Sequence, residues 1–279
     1  MTLPGDGQLA IELLLAVRAG DVDAIRRLLD AHEGLATARI EARGGTRAPL
    51  HLVVDWPGYF PRGSEIVALL VEAGADVDAR TTGRGKGETP LHWAASSDDV
   101  DVAEALIDAG ADIEAPDGSI GTPLDNAVGY ACYHVAHLLL SRGARVERPW
   151  QAAALGLLDR LGVLLGDSPD PNGVSQAFWH ACAAGQRRAA ERLLELGADL
   201  NWVPEYAEGT PFDAASNPTT RQQNVIDWLR DRGRRGRVRN DGPDQPSIRS
   251  PNASQSGFSH TNPVSITFAV SAGSAVTPQ

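Results

Sequence analysis

The sequence repeats itself at a fixed spacing, and this repetition limits the folds open to the chain. The segment "TPLHWAASSDDVDVAEALIDAGADIEA" begins at Thr89, and "TPLDNAVGYACYHVAHLLLSRGARVE" begins at Thr122, 33 residues later. Partial copies begin at Ala48, Gln176 and Thr210. A period of this length is typical of proteins built by stacking one small unit many times. The repeat therefore predicts an extended stack of units with a continuous core.

Each full copy contains the local signals of two short helices. Thr89 can cap a helix through its hydroxyl, and Pro90 suits the first helical turn because that turn needs no N–H from it. Ala94 and Ala95 are small enough to let neighbouring helices approach closely. A second apolar stripe follows at Val102, Leu106 and Ile107, and Gly110 can end that helix. Such a helix pair cannot bury its apolar face alone, so the units must stack.

The same register predicts seven units, of which the first and the fifth are degenerate. "LLLAVRAGDVDAIRRLL" from Leu13 fits the first unit, and "PWQAAALGLLDRLGVLLGDS" from Pro149 fits the fifth. The step into the fifth unit is short, which predicts that the connecting hairpin is nearly absent at Arg145–Arg148 and leaves a gap in the row of hairpins. The expected units lie near 8–45, 46–87, 88–120, 121–146, 147–174, 175–208 and 209–233.

The repeated motif resembles the ankyrin repeat, whose pattern is TPLHxAA, then a glycine, then a helix that ends in LLxxGAD. The resemblance covers roughly residues 8–233, and several copies in register make it specific. It implies an all-α ankyrin-repeat solenoid of about 6–7 helix-hairpin units, joined by short β-hairpin fingers. Residues 234–279 are rich in Pro, Ser, Asn and Gly and lack a helical period, so we expect a disordered tail.

The resemblance also gives the histidines of the motif a structural role. In the family this imidazole bonds to nearby backbone and braces the hairpin, which we expect of His51 and His92. Asp125 and Asp213 replace it in two units, and we assign the same position to Trp150 and Trp179 in units five and six.

In the family, protein partners bind the concave face formed by the hairpin tips and the first helix of each unit. The resemblance therefore implies a non-enzymatic scaffold for protein–protein interaction that needs no cofactor and binds a protein of unknown identity. Carried onto this chain, the tip positions are Arg84, Lys86, Glu88, Asp117, Trp202, Tyr206 and Glu208, and the first-helix positions are Ser96, Ser97 and Tyr130.

Trp202 and Tyr206 are the most informative of these positions. Aromatic side chains held on a rigid support often dominate the energy of a protein interface. The alternative is that both rings fold back onto the neighbouring unit, and the sequence leaves the two possibilities open.

The segment "DWPGYFPRGSE" (Asp55–Glu65) is an insertion in the second unit. The distance from Pro49 to Gly74 is five residues longer than the matching distance from Pro90 to Gly110. We therefore place the extra residues in the turn between the two helices, around Trp56–Gly63, with Ser64 as a cap for the next helix. We call this segment the insertion lip. We expect it to pack Trp56, Tyr59 and Phe60 onto neighbouring turns; the alternative is that it presents these rings to a partner.

Catalytic and metal sites have weaker support. Cys132 and Cys182 fit small core positions better than activated thiolates. His134 and His137 lie three residues apart on a predicted helix, which could place two metal ligands on one face, but no third ligand is evident nearby. We find no sequence motif for a serine nucleophile, a P-loop or a zinc protease, and we expect no catalytic, cofactor-binding or metal-binding residues.

The formal net charge of −11 disfavours non-specific binding to nucleic acid or to anionic lipid. The end of the predicted repeats carries a cluster of arginines despite this negative net charge. The alternative function is therefore a nucleic-acid-associated regulator that acts through this cluster. We prefer to read the cluster as the solvated end of a helix, stabilised by the helix dipole. Its members are Arg230, Arg232, Arg234, Arg235, Arg237 and Arg239.

The expected location is the cytoplasm. Two widely spaced cysteines do not form a disulfide framework, and no apolar run reaches the length of a membrane span. Leu9–Val17 contains Glu12 and is interpreted as a core helix rather than a signal peptide. The basic residues are arginines with the single exception of Lys86, a composition that suggests a bacterial source. We expect a monomer.

Overall fold

The computed structural model describes residues 1–42, 44–83, 87–218 and 222–239, with side chains up to residue 232. Seven consecutive helix pairs occupy these residues. The first helices of the pairs are α1 (Gln8–Ala19), α3 (Pro49–Val53), α5 (Pro90–Ser97), α7 (Pro123–Gly129), α9 (Pro149–Ala154), α11 (Pro171–Ala183) and α13 (Pro211–Ala215). The second helices are α2 (Val22–Ala31), α4 (Gly63–Glu72), α6 (Val100–Asp108), α8 (Tyr133–Ser141), α10 (Leu158–Leu165), α12 (Arg187–Glu195) and α14 (Gln223–Arg239).

The helices form two layers, because first helices contact first helices along the whole series and the second helices of the first four pairs also contact one another. In the layer of first helices, α5 packs on α7, and α11 packs on both α9 and α13. In the layer of second helices, α4 packs on α2 and α6, and α6 packs on α8. The predicted all-α solenoid of stacked helix pairs is confirmed.

The TPLH motif folds as a reciprocal cap at the start of the first helix. In the third pair, the Thr89 side chain accepts a hydrogen bond from the His92 N–H, and the Thr89 N–H donates to Nδ1 of His92 (3.2 Å). Nδ1 is therefore an acceptor, so Nε2 carries the proton and donates to the carbonyl of Gly121 (3.0 Å). Since Gly121 immediately precedes the next first helix, His92 joins two units. His51 makes the same link to the carbonyl of Glu88 (3.1 Å).

The assignment of Trp150 to this histidine position is wrong. In the fifth pair the cap is closed by Gln151, whose Oε1 accepts from the N–H of Arg148 (2.9 Å). Its Nε2 donates to Oδ1 of Asp125 in the preceding unit (2.9 Å). The shorter helix α9 moves the capping position one residue along the chain, so Trp150 is free for another contact. Trp179 in the sixth pair does take the histidine's role, because its Nε1–H donates to the carbonyl of Gly209 (3.1 Å).

The connections between pairs are less uniform than the expected β-hairpin fingers. Within the described residues only the first is built from strands: β2 (Arg39–Ala42) and β3 (Gly45–Arg47) pair antiparallel. The N-terminal strand β1 (Thr2–Leu3), which the sequence did not suggest, adds parallel to β2. The first connection is also tied to the second, since the Thr82 N–H donates to the carbonyl of Thr46 (3.0 Å).

Two connections are shortened. Only residues 142–148 join α8 to α9, at the place where the sequence predicted a gap, and only residues 166–170 join α10 to α11. The second shortening was not predicted. Helix α11 starts early, at Pro171, so the expected unit boundary at residue 174 falls inside this helix.

The insertion lip, residues 54–62, connects α3 to α4 at the predicted position. Helix α4 begins at Gly63, after Arg62 in a left-handed conformation, so the expected cap by Ser64 is wrong. A Cβ atom at Gly63 would come within 2.6 Å of Cγ2 of Val102 on α6. Glycine is therefore required at this position by the close packing of α4 on α6.

The C-terminal helix α14 extends through Arg239, past the expected end of the repeats at residue 233. The expectation for residues 240–279 lies outside the described part of the chain. In the described part, none of the helices combines the length and the apolar character needed to cross a membrane.

Candidate protein-binding surface

Helix α11 carries an aromatic cluster centred on His180. The imidazole lies 4.9 Å from the ring of Trp150, 5.1 Å from Trp179 and 6.1 Å from Tyr206, measured between ring centroids. Trp179 also meets Tyr206 edge to face at 6.4 Å. His180 itself is only 3% exposed, whereas both tryptophans are half-buried and Tyr206 is 47% exposed. We call Trp150, Trp179, His180 and Tyr206 the aromatic patch.

The connection 196–210 lies across α11 and is fixed there by side-chain hydrogen bonds. Nε1 of Trp202 donates to Oδ1 of Asn172 (2.8 Å). The hydroxyl of Tyr206 accepts from Nε2 of Gln176 (3.2 Å) and lies 3.0 Å from Nε2 of His180. Trp202 and Tyr206 thus contact the first helix of their own unit, and the ring of Tyr206 keeps one part in solvent.

His180 adds no positive charge to the patch at neutral pH. Burial lowers its pKa to about 3, because the charged imidazolium loses its hydration there. Nε2 of the neutral ring can accept a hydrogen bond from the Tyr206 hydroxyl, while the same hydroxyl accepts a hydrogen bond from Gln176. The aromatic patch is therefore uncharged and held by hydrogen bonds.

The two stretches that supply Trp179, His180 and Tyr206 are acidic. Residues 166–183 and 196–216 contain six Asp or Glu residues and no Lys or Arg. Three of the six carboxylates cap local backbone: Asp170, Asp199 and Asp213 accept from main-chain N–H groups within three residues. The other three are exposed and accept no hydrogen bond from any residue the structure describes: Asp167, Glu205 and Glu208.

The predicted site residues of units three and four serve mainly to hold the connection 109–122. The Glu88 carboxylate accepts from Nε1 of Trp93 (2.9 Å), from the N–H of Ser119 and from Nδ2 of Asn126. Asn126 also donates to the hydroxyl of Ser96 (3.2 Å). Glu88 and Ser96 are therefore half-buried members of an internal network that orients this connection.

The other predicted positions in these units have limited exposure or lie outside the description. Ser97 donates to the carbonyl of Trp93 in its own helix (3.0 Å), and Tyr130 is a half-buried residue at the end of α7. Asp117 has a positive φ of 67° and an exposed side chain. The predicted tip residues Arg84 and Lys86 lie outside the described residues.

The insertion lip joins unit two to its neighbours through polar contacts and one aromatic ring. The Tyr59 hydroxyl donates to the carbonyl of Asp98 (2.6 Å), and its N–H donates to Oδ2 of Asp99 (3.0 Å). Phe60 is half-buried under the guanidinium of Arg18 in unit one. The rings of Trp56 and Tyr59 remain 57% and 63% exposed, so the lip both packs onto neighbouring turns and leaves aromatic surface in solvent.

The candidate nucleophiles and metal ligands lack the surroundings that such chemistry needs. Cys132 and Cys182 are buried and free, and burial raises the pKa of Cys132 to about 12 and that of Cys182 as well. Their reactive thiolate forms are thus disfavoured. His134 is exposed and pairs with Asp98 (Nδ1 to Oδ2, 2.6 Å). No group of three or more His, Cys, Asp or Glu able to hold a metal occurs among the described residues.

The described part of the arginine cluster lies against aromatic rings. The guanidinium carbon of Arg230 is 5.6 Å from the ring centre of Phe212, and that of Arg232 is 5.0 Å from the ring of Trp228. Arg230 also pairs with Asp227 (3.4 Å). The side chains of Arg234, Arg235, Arg237 and Arg239 lie beyond the described ones.

Comparison with known proteins identifies the repeats. Residues 62–149 match the family model described as ankyrin repeats in three copies. The chain is 43% identical over 82 residues to protein fem-1 homolog A of Danio rerio, covering 26% of this chain and 13% of the relative. It is 41% identical over 70 residues to human ankyrin repeat and MYND domain-containing protein 1, covering 25% of this chain and 7% of the relative. The matched part is therefore a small fraction of these relatives.

A solved structure, the ankyrin repeat domain of Bcl-3, a member of the IkappaB protein family, is 27% identical with a TM-score of 0.45. The match covers 78% of this chain and 97% of that chain.

The stacked helix pairs define a helical-repeat protein, and the reciprocal TPLH caps and the matched family model specify which kind. Residues 62–149 are ankyrin repeats. Ankyrin repeats generally serve protein–protein interaction and are typically non-enzymatic.

Proposed function

We propose that this protein is a non-enzymatic scaffold that binds a protein partner on the surface formed by its first helices and the connections between units. We call this surface the finger face. The observation that carries the proposal is the aromatic patch, with Trp202 beside it, because Trp179, Trp202 and Tyr206 are partly exposed yet fixed by hydrogen bonds. A partner then gains contact area without the entropy cost of ordering these side chains.

The location proposed for this activity is the cytoplasm. Cys132 and Cys182 are both free and buried, which suits a compartment that keeps thiols reduced. Of the described arginines in the C-terminal cluster, Arg230 and Arg232 already contact protein rings. This occupancy favours the protein-binding function over one in which the cluster binds nucleic acid.

The proposal is tested by affinity capture with two matched double variants. Trp202→Ala/Tyr206→Ala removes aromatic surface from the finger face, and Leu158→Ala/Val163→Ala removes exposed apolar surface from α10 in the other layer. We expect the first variant to lose captured proteins by about tenfold or more and the second to retain them. Equal retention by both folded variants, or a loss only in the second, would contradict the proposal.

A further inference from the structure

We infer that the aromatic patch and its acidic border form a docking site for an arginine-rich, extended segment of the protein partner. The inference rests on the proposed function and specifies the chemistry of the partner. It follows from the combination of partly exposed rings and exposed carboxylates at one end of the finger face.

The first argument is charge complementarity. The stretches 166–183 and 196–216, which supply Trp179, His180 and Tyr206, carry six carboxylates and no Lys or Arg, and Asp167, Glu205 and Glu208 are exposed. Arg148 lies two residues before Trp150, but its guanidinium pairs with the carboxylate of Asp125 (3.1 Å). Glu205 and Glu208 lie within two residues of Tyr206, so their charges flank the exposed ring. A cationic segment gains favourable interactions along this border, whereas an acidic segment is repelled.

The second argument is the chemistry of the rings. Trp150, Trp179 and Tyr206 are partly exposed around His180, which burial keeps neutral, so the central histidine does not oppose an incoming cation. The flat guanidinium of arginine stacks on tryptophan and tyrosine faces and also pairs with carboxylates through several N–H groups. Lysine offers only a compact ammonium, so the site favours arginine.

The third argument is access. The connections 142–148 and 166–170 on either side of the fifth unit are shorter than the connection 196–210. Trp150, at the start of α9, is half-buried and its ring lies 4.9 Å from that of His180 on α11. A narrow, extended segment can reach the patch beside these short connections, while the fixed connection 196–210 limits the room on its other side.

The test measures binding of short synthetic peptides to the full chain by calorimetry. One peptide alternates arginine with glycine, and two others replace arginine by lysine or by glutamate. We expect the arginine peptide to bind more tightly than the lysine peptide, the glutamate peptide not to bind, and the affinity to fall as salt is raised. Failure of the arginine peptide to exceed the lysine peptide would overturn the inference.

Paired charge reversals locate the site. Glu205→Lys/Glu208→Lys changes the border, and Glu33→Lys/Glu72→Lys makes the same change in net charge at exposed positions in units one and two. We expect the first pair of substitutions to weaken binding of the arginine peptide by about tenfold or more and the second pair to retain most of the affinity. Equal effects of the two pairs would show that only the overall charge matters and would overturn the inference.

A separate result decides the proposed function. If the arginine peptide fails while a captured protein still depends on Trp202 and Tyr206, the inference is wrong and the scaffold function stands. If capture of every protein is unchanged when Trp202 and Tyr206 are replaced, the proposed scaffold function is wrong, independently of the peptide-binding results.

Discussion

The unfolding free energy of this protein is expected to fall steeply as the pH is lowered from 6.5 towards 4. Burial lowers the pKa of His51 to about 4 and that of His180 to about 3, and it lowers the pKa of His92 as well. In the unfolded chain each imidazole titrates near 6.5. Between these pH values the unfolded chain binds protons that the folded protein excludes. The contribution of the neutral histidines to the unfolding free energy is therefore fully present above pH 6.5 and is lost as the pH falls towards their folded pKa values.

Each buried histidine contributes up to about 1.4 kcal/mol per pH unit in this range. Chemical denaturation at a series of pH values measures the slope, and His51→Gln tests its origin. Glutamine suits this position because Gln151 already closes the cap and links two units in the fifth pair. We expect His51→Gln to reduce the slope by about one histidine's share. An unchanged slope in His51→Gln would contradict this explanation.

Phe178→Ala is expected to destabilise the protein by about 3–5 kcal/mol, the range typical of a buried phenylalanine. Phe178 is the largest of the fully buried side chains and lies on α11, between the aromatic patch and the C-terminal helix. Its ring centre is 6.4 Å from that of Trp228 on α14. Removing it leaves a cavity where the sixth and seventh pairs meet, and neighbouring helices can close such a cavity only in part.

Equilibrium denaturation in urea measures this loss, with Val163→Ala as the control because Val163 is 72% exposed. The control should change the unfolding free energy by about 0.5 kcal/mol or less. A similarly small change in Phe178→Ala would mean that the seventh pair adds little to the cooperative core.

The fold could be predicted because its signals are local and repeated. The Thr–Pro start, the small residues that match Ala94 and Ala95, and the closing glycine recur in the better-preserved copies, and the structure places them at helix ends and in the core. The insertion lip was located by counting alone, since the repeat fixes where both helices must resume. The residue at which α4 begins was not predicted, because the close contact that favours glycine at residue 63 comes from Val102 in the next unit.

The aromatic patch could be predicted only in part. Trp202 and Tyr206 were singled out as aromatic residues in a connection, but their hydrogen bonds to Asn172, Gln176 and His180 span some thirty residues. The assignment of Trp150 was wrong because the distance from the first-turn proline to the end of the first helix is one residue shorter in the fifth unit. Only the contact of Gln151 with Asp125 reveals this shift. The run of carboxylates without Lys or Arg is visible in the sequence, but its position around the rings is not.

Hydrogen exchange of the full chain, alone and with a captured partner, tests the finger face most directly. We expect the partner to slow exchange in α11 and in the connection 196–210, while α10 and α12 in the other layer change little. Protection confined to the second helices, with α11 and the connection unaffected, would contradict the assignment of the binding surface.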